Sequence, residues 1–381
     1  MIYLDNAAST KPFKEVQEIM CYVMENVYAN PSALHKQGFL AENLLKESSM
    51  FFAKQLGCSK EEIIYTSGGT ESNNLAILGA INAYKRNGNK IITSNIEHSS
   101  VKEVFTYLEQ QGFEVIRLKA DLDGYVSLEE LENHLDGKTI FVSIMHINNE
   151  IGTIQPIEKI AELIKRKNKD TIFHVDAVQS FGKILVPKKN IDLISISGHK
   201  LYGPKGVGIL YKNKNIRIVN LFYGGGQQKN IRSGTENVYN IVGMHKAGEI
   251  VFDNLNKYKE HYQKCKNYLQ KNIENHISGI RVNSAVDGAP HILNISFKDI
   301  RSEILMNVLE KNDIYVSAGS ACLTHKKSKN ILSFIGVSED YVYSAIRFSF
   351  SYETTIEDLD KVVNVLIKEI PKIRKVNNGG K

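Results

Sequence analysis

Ile191-Asp192-Leu193-Ile194-Ser195-Ile196-Ser197-Gly198-His199-Lys200 is an apolar run that stops on a glycine, a histidine and a lysine. The run reads as a buried strand. A lysine just past such a strand, among small polar groups, can have its amine held in a partly dry pocket, where it deprotonates more easily and can form a Schiff base. Most lysines after strands are solvated loop residues, so the assignment depends on what the rest of the chain supplies.

Upstream, Thr171-Ile172-Phe173 leads into His174-Val175-Asp176-Ala177-Val178-Gln179, placing Asp176 at the end of another short apolar strand. A pyridine-ring cofactor needs an anionic partner at its ring nitrogen, because the protonated ring is the electron sink. Asp176 suits that task, and it equally suits the N-cap of a following helix. Gln179, three residues on, is open either to the cofactor's phenolic oxygen or to solvent. Further upstream, Ile63-Ile64-Tyr65-Thr66-Ser67-Gly68-Gly69-Thr70-Glu71-Ser72-Asn73-Asn74-Leu75-Ala76-Ile77 breaks a β-rich run at two glycines and restarts with helical periodicity. The N–H groups of Gly69 and Thr70 then sit at a helix N-terminus that can hold a phosphate. The glycine spacing is neither that of a dinucleotide fingerprint nor that of a P-loop. Together the three stretches point to pyridoxal phosphate.

The 381 residues suggest about two domains with a sizeable core. A net charge of +6, from 48 basic and 42 acidic residues spread evenly, is too diffuse to argue for direct nucleic-acid binding. Cys21, Cys58, Cys265 and Cys322 are widely separated and lack metal-ligand spacing, which points to a reducing, cytoplasmic setting. The N-terminus shows no signal pattern, and no apolar run reaches membrane-spanning length.

Strand-like and helical runs alternate: Lys90 to Ser94 then Ser99 to Gln110, Glu114 to Leu118 then Ser127 to Leu135, Thr139 to His146 then Ile157 to Lys167. The pattern predicts an α/β fold, with a parallel sheet between helices and binding groups at the strand ends. From Val238 a long helical stretch to about Ile277 reads as a connector. Strands near Gly279 to Val282 and His291 to Phe297, and helices near Arg301 to Lys311 and Thr355 to Ile373, then suggest a smaller α+β domain. The expected division is 15–255 for the large cofactor-binding domain, with 1–14 and 256–381 forming the small one that carries Cys322. The last residues, from Val376, are expected to fray.

On these motifs the chain resembles the pyridoxal-phosphate cysteine desulfurases of the NifS/IscS type, within the class V aminotransferase superfamily. The resemblance runs through Ile2-Tyr3-Leu4-Asp5-Asn6-Ala7-Ala8, Asn30-Pro31-Ser32, Thr66 to Ser72, Glu97-His98, His146 to Gly152, the Asp176 and Lys200 segments, Arg232-Ser233-Gly234-Thr235, Gly319-Ser320-Ala321-Cys322 and Ile346-Arg347-Phe348-Ser349. It implies a fold-type-I homodimer with the cofactor between a large and a small domain. It further implies that Lys200 is the Schiff-base lysine and Asp176 the ring-nitrogen partner, and that Gly69, Thr70, Ser197 and His199 hold the phosphate with Thr235 of the second subunit. Asn149 and Gln179 would contact the ring oxygen side, and Asn149 would also meet substrate. Arg347 would pair bidentately with the substrate carboxylate. His98, beyond the Lys90 to Ser94 strand, would stack on the ring and shuttle a proton, unless it only caps a helix.

Cys322 separates a desulfurase from the wider superfamily. It sits among small residues and is followed by Leu323-Thr324-His325-Lys326-Lys327, whose cationic side chains favour the thiolate. Cys21, Cys58 and Cys265 read as packing residues. The implied reaction converts L-cysteine to L-alanine. Lys200 removes the Cα proton, and the Cys322 thiolate takes the substrate sulfur as a persulfide for an acceptor, either a cluster-scaffold protein or a tRNA-thiolation enzyme. A simple aminotransferase would need a keto acid and no loop cysteine, and a selenocysteine lyase would prefer the selenium substrate. An interaction scaffold would instead hold iron or a cluster at Cys322, yet one thiol is a poor site by itself, leaving it at most a transient ligand. Two departures bear on partners: the residues after Cys322 are less rich in Ser and Thr than in many relatives, and the chain ends soon after Ile373, where cluster-assembly members extend further.

Overall fold

A computed structural model describes residues 1–318 and 330–378. The large sheet has seven strands in the order β2 (Ile63–Thr66), β8 (Gly208–Lys212), β7 (Leu193–Ser197), β6 (Ile172–Asp176), β5 (Thr139–Met145), β3 (Lys90–Ser94) and β4 (Glu114–Leu118), with β1 being the separate N-terminal strand Ile2–Tyr3. From β4 to β7 all pairings are parallel, and β7–β8 and β8–β2 are antiparallel. Strands β5, β6 and β7 are buried along their whole length, which is why their sequences are nearly continuous apolar runs rather than alternations.

Successive residues on these strands face opposite layers. Ile64, Ile91, Phe141, Ile172 and Leu193 pack with Leu75, Ile77 and Ile81 of helix α3 (Gly69–Tyr84) and with Val101 and Phe105 of α4 (Ser99–Gln110). Ile92, Val142, Phe173, Val175, Ile194 and Ile209 pack on the other side with Phe52 and Leu56, which lie on α2 (Lys36–Leu56), itself preceded by α1 (Lys14–Asn26). Leu128–His134 (α5) follows β4, and Ile160 and Ile164 of α6 (Ile157–Lys167) complete that second layer. The fold is thus α/β, with a mostly parallel sheet flanked by helices.

The expected single connector is two helices. Residues Val238–Asp253 (α7) bury Met244, Ala247 and Val251 in the large core, whereas Leu255–His276 (α8) buries Tyr262, Cys265, Leu269 and Ile273 in another. Asn254 breaks the path at φ −114°, and its side-chain amide donates to Ile250 O (2.9 Å). One straight helix cannot serve two cores that face different ways.

The second core is built on an antiparallel sheet, β9 (Ile280–Val282), β10 (Ile292–Phe297) and β12 (Ala345–Ser349), with β11 (Ile314–Tyr315) paired in parallel to β1. Leu4, Leu293, Phe297 and Phe348 pack there with α9 (Ser302–Glu310) and with α10 (Ile356–Asn378), which runs past the point where fraying was expected. The N-terminus is therefore stitched into the C-terminal part of the chain, Ser349 N donating to Leu4 O (2.7 Å).

Between the two cores, the Tyr202 and Tyr262 hydroxyls lie 2.8 Å apart, and the Lys183 amine rests 4.1 Å from the Tyr202 ring centre. Among the described residues that amine has no hydrogen-bond partner, and burial pushes it down to about 7, helped by the charge of Lys200. The unfolded chain binds the Lys183 proton up to about pH 10.4, so stability rises with pH from about 7 towards that value. In chemical denaturation this rise should flatten in Lys183→Met, and an unchanged slope would place it elsewhere.

Candidate active site

The parallel strands β3, β5, β6 and β7 all end on the same edge of the sheet, where the residues that follow them turn into one cleft. A cavity of about 380 Å³ lies there, lined by Gly69, Thr70, His98, Asn149, Asp176, Gln179, Ser197, His199, Lys200 and Arg347. Ten of the residues singled out from the sequence thus meet in one place although they span most of the chain.

Asp176 ends β6 and is buried. Its Oδ1 accepts from Val178 N (2.9 Å) and its Oδ2 from Asn73 Nδ2 (2.7 Å). No helix follows Asp176, so the N-cap reading is replaced by a turn that its carboxylate closes, and the residue also lines the cavity. Glu97 lies near it, buried, with Oε1 accepting from Ser94 Oγ (2.5 Å) and Met145 N (3.1 Å). Burial outweighs these bonds and, with the charge of Asp176, pushes the Glu97 carboxyl up to about 8. At neutral pH Glu97 is then uncharged, and of the two carboxyl groups it is Asp176 that lines the cavity.

Lys200 follows the turn after β7. Its Nζ donates to Ala7 O (2.6 Å) and Ala8 O (2.7 Å), two carbonyls of the N-terminal segment. Burial pushes the amine down to about 8, the charge of Arg347 adds to this, and Asp5 and Asp176 oppose it. His199 is pushed down to about 4 by burial and by the charges of Lys200 and Lys205, so it enters the site neutral. Gln179 turns neither fully to solvent nor to a free position: its Nε2 donates to Ala7 O (2.8 Å) while the residue lines the cavity.

At the glycine-rich end, a Cβ on Gly69 would lie 2.7 Å from Val178 Cγ2, so no side chain is admitted where α3 begins. On β8, a Cβ on Gly208 would lie 2.7 Å from Gly68 Cα, which shows how tightly the strand presses against that turn. Ser197 Oγ is buried beside the turn and, among the described residues, has no hydrogen-bond partner. An orphaned hydroxyl next to free helix N-terminal N–H groups fits a phosphate, and the Asn149 Oδ1, equally buried and unpartnered, fits a further polar ligand atom. The residues present therefore match the chemistry of pyridoxal phosphate.

Arg347 reaches the cavity from β12, at the other end of the chain. It is buried, with Nη1 donating to Asn149 O (2.7 Å) and Nη2 to Asp5 Oδ1 (2.7 Å). His98 is exposed to the cavity and at the same time caps α4, its Nδ1 accepting from Ser100 N (3.2 Å). Thr235 does not join them. It is exposed, on a loop tied to α3 by Arg232, whose Nε and Nη2 reach the Glu71 carboxylate at 2.8 and 3.2 Å.

Cys322 lies outside the described residues, and so does any metal ligation by it; Ser317, near the end of the described segment that precedes it in sequence, lines the cavity. Of the other cysteines, Cys265 is buried and Cys58 half-buried, and burial pushes each up to about 11. Cys21 departs from the packing expectation: it is exposed on α1. Sequence reasoning passed over Asp5, Asn73 and Ser100. Asn73 had a readable signal, lying one helical turn (i+4) after Gly69 and so on the same face, whereas nothing local marked Asp5 as the partner of an arginine more than three hundred residues away.

The chain matches the family model described as "Aminotransferase class-V" over residues 2–362. It is 40% identical over 380 residues to "Cysteine desulfurase IscS" of Dictyoglomus turgidum, covering 99% of this chain and 96% of that one. Among solved structures, a "NIFS-LIKE PROTEIN" superposes with a TM-score of 0.90 at 37% identity over 98% of both chains. Another, "SspA in complex with cysteine", gives a TM-score of 0.82 at 34% identity, covering 93% of this chain and 100% of that one. The chain belongs to the class V aminotransferase family and, within it, to the NifS/IscS-type cysteine desulfurases.

Proposed function

We propose that this NifS/IscS-type chain is a pyridoxal-phosphate-dependent cysteine desulfurase that converts L-cysteine to L-alanine and passes the sulfur through Cys322. The observation that carries the reading is the single cavity in which Lys200, Asp176 and Arg347 converge, with Ser317, five residues before Cys322, in its lining. Lys200 would carry the cofactor, Asp176 would face its ring nitrogen, and Gly69, Thr70, Ser197 and His199 would hold its phosphate, with Asn149 and Gln179 towards the ring oxygen. When bound there, the cofactor supplies a protonated ring that takes up the electron pair released at the substrate Cα.

Lys200 Nζ, displaced from its resting bonds to Ala7 and Ala8, is the base for the Cα proton. Arg347 orients the substrate carboxylate with a guanidinium already steadied by Asp5 and Asn149. The Cys322 thiolate attacks the substrate sulfur, the C–S bond electrons return to the carbon skeleton, and the persulfide is left for an acceptor. Arg347→Lys keeps the charge and loses the fork, so KM for L-cysteine should rise by about 10- to 100-fold in steady-state kinetics. An unaltered KM would detach Arg347 from the substrate.

The division into a large domain, 15–255, and a small one, 1–14 with 256–381, is supported by the two separate cores. A homodimer is supported by large apolar side chains left exposed on and between α1 and α2, Tyr28 (81%) and Leu34 (92%) among them, and by Thr235 standing clear of its own cavity. Thr235 would reach the partner's phosphate site. Sedimentation should show a dimer at assay concentration, and a fully active monomer would remove this role. No helix among the described residues is long and apolar enough to cross a membrane. The cytoplasmic assignment rests on the widely separated cysteines, and iron–sulfur assembly or tRNA thiolation is the proposed destination of the sulfur. The deciding experiment is alanine formation from L-cysteine without a keto acid. Dependence on a keto acid would return the chain to the aminotransferase reading.

A further inference from the structure

Four side chains join the two ends of the cavity. Asp176 Oδ2 and Ser100 Oγ both accept from Asn73 Nδ2, at 2.7 and 2.9 Å, and Ser100 Oγ lies 2.8 Å from His98 Nδ1. We propose that Asn73 and Ser100 form a one-way hydrogen-bond chain from Asp176 to His98 that keeps the His98 proton on Nε2, so that His98 meets the cavity as a hydrogen-bond donor.

The direction follows from what each group can do. A carboxylate only accepts, so Asn73 must turn its NH₂ group, not its carbonyl, towards Asp176. Among the described residues the carbonyl Oδ1 is left buried without a partner, the outcome expected if the aspartate dictates the orientation of the amide. The second amide hydrogen goes to Ser100 Oγ. That oxygen, having accepted, has its own hydrogen to give, and His98 Nδ1 lies within reach to take it. The backbone N–H of Ser100 points at the same nitrogen (3.2 Å) and has no way to reverse its role. A nitrogen that receives two donors carries no proton, so the neutral ring bears its hydrogen on Nε2. Among the described residues no protein group bonds Nε2, which leaves that N–H for a ligand.

A base acting through Nε2 would need the opposite tautomer, against the fixed backbone donor. His98 is thereby assigned to donating a hydrogen bond and Lys200 to proton removal, while Asn73 and Ser100 are positioning residues. The kinetic consequence rests on the desulfurase reading; the tautomer does not.

The holoenzyme labelled with ¹⁵N-histidine reports the tautomer directly through long-range ¹H–¹⁵N correlations, the His98 signals being those lost in His98→Gln. The proton should be found on Nε2. In Ser100→Ala the preference for that tautomer should drop about tenfold, and kcat with it, while Ser100→Thr should keep both. A proton on Nδ1 in the wild type would overturn the proposal, as would a Ser100→Ala protein whose tautomer ratio matches the wild type. If the Nε2–H tautomer is present and L-cysteine is not turned over, the desulfurase reading fails and the hydrogen-bond chain stands.

Discussion

Lys200→Ala should yield a protein without the visible chromophore of a bound pyridoxal phosphate and without measurable turnover of L-cysteine. The amine supplies both the covalent attachment and the base, and among the described residues no other lysine lines the cavity to take its place. The absorption spectrum of the purified variant and an alanine assay check the two losses separately. Lys200→Arg should fail as completely, because a guanidinium stays protonated. The ionisation gives a second handle. Since burial pushes the Lys200 amine down to about 8, its reactive neutral fraction climbs as pH rises through 8 and then levels off. Covalent loading of the cofactor-free protein should follow that curve, whereas an ordinary lysine would keep gaining up to about pH 10.4. A loading rate still rising at pH 10 would show that the amine is not held in the partly dry environment described here.

Cys322→Ser should separate cofactor chemistry from sulfur chemistry. The cavity residues are untouched, so L-cysteine should still perturb the chromophore. The hydroxyl is a poor acceptor of sulfur and holds no persulfide, so release of alanine and sulfide should fall on the order of 10³-fold or more. In the wild type, L-cysteine given without reductant should add one sulfur to the peptide that contains Cys322. Cys58 and Cys265 serve as internal controls, since burial keeps both as thiols at neutral pH. Cys21 is the sharper control because it is exposed. Sulfur found on Cys21 by mass spectrometry, or near-normal turnover in the serine variant, would reject the proposed transfer.

The strands and helices were largely legible from local pattern. Strand β3 at Lys90–Ser94, helix α4 at Ser99–Gln110 and helix α6 at Ile157–Lys167 follow the apolar periodicities of the chain residue for residue, because a strand buried on both faces and an amphipathic helix each impose their own period. The same pattern placed Asp176 and Lys200 at strand ends, where a parallel sheet gathers its ligands. Helices α7 and α8 were not separable by pattern. Their periodicity continues across Asn254, and only the existence of two cores facing different ways makes the chain bend there.

The site shows the same division at finer scale. Motif and spacing marked His98 and Asp176 singly, and each also suited a bland capping reading, which holds for His98 on α4, whereas Asp176 closes a turn that no helix follows. That they are ends of one hydrogen-bonded chain depends on α3 laying Asn73 between the start of α4 and the tip of β6, where it meets an aspartate 103 positions away. Likewise Asp5 and Arg347 meet only because the N-terminal strand is pulled into the core of the C-terminal part. Local sequence sets backbone dihedrals and the faces a segment must bury, and these are properties of neighbours along the chain. Which buried donor meets which acceptor is settled by packing between segments with no sequence relation, so it becomes readable only once the layers are assembled.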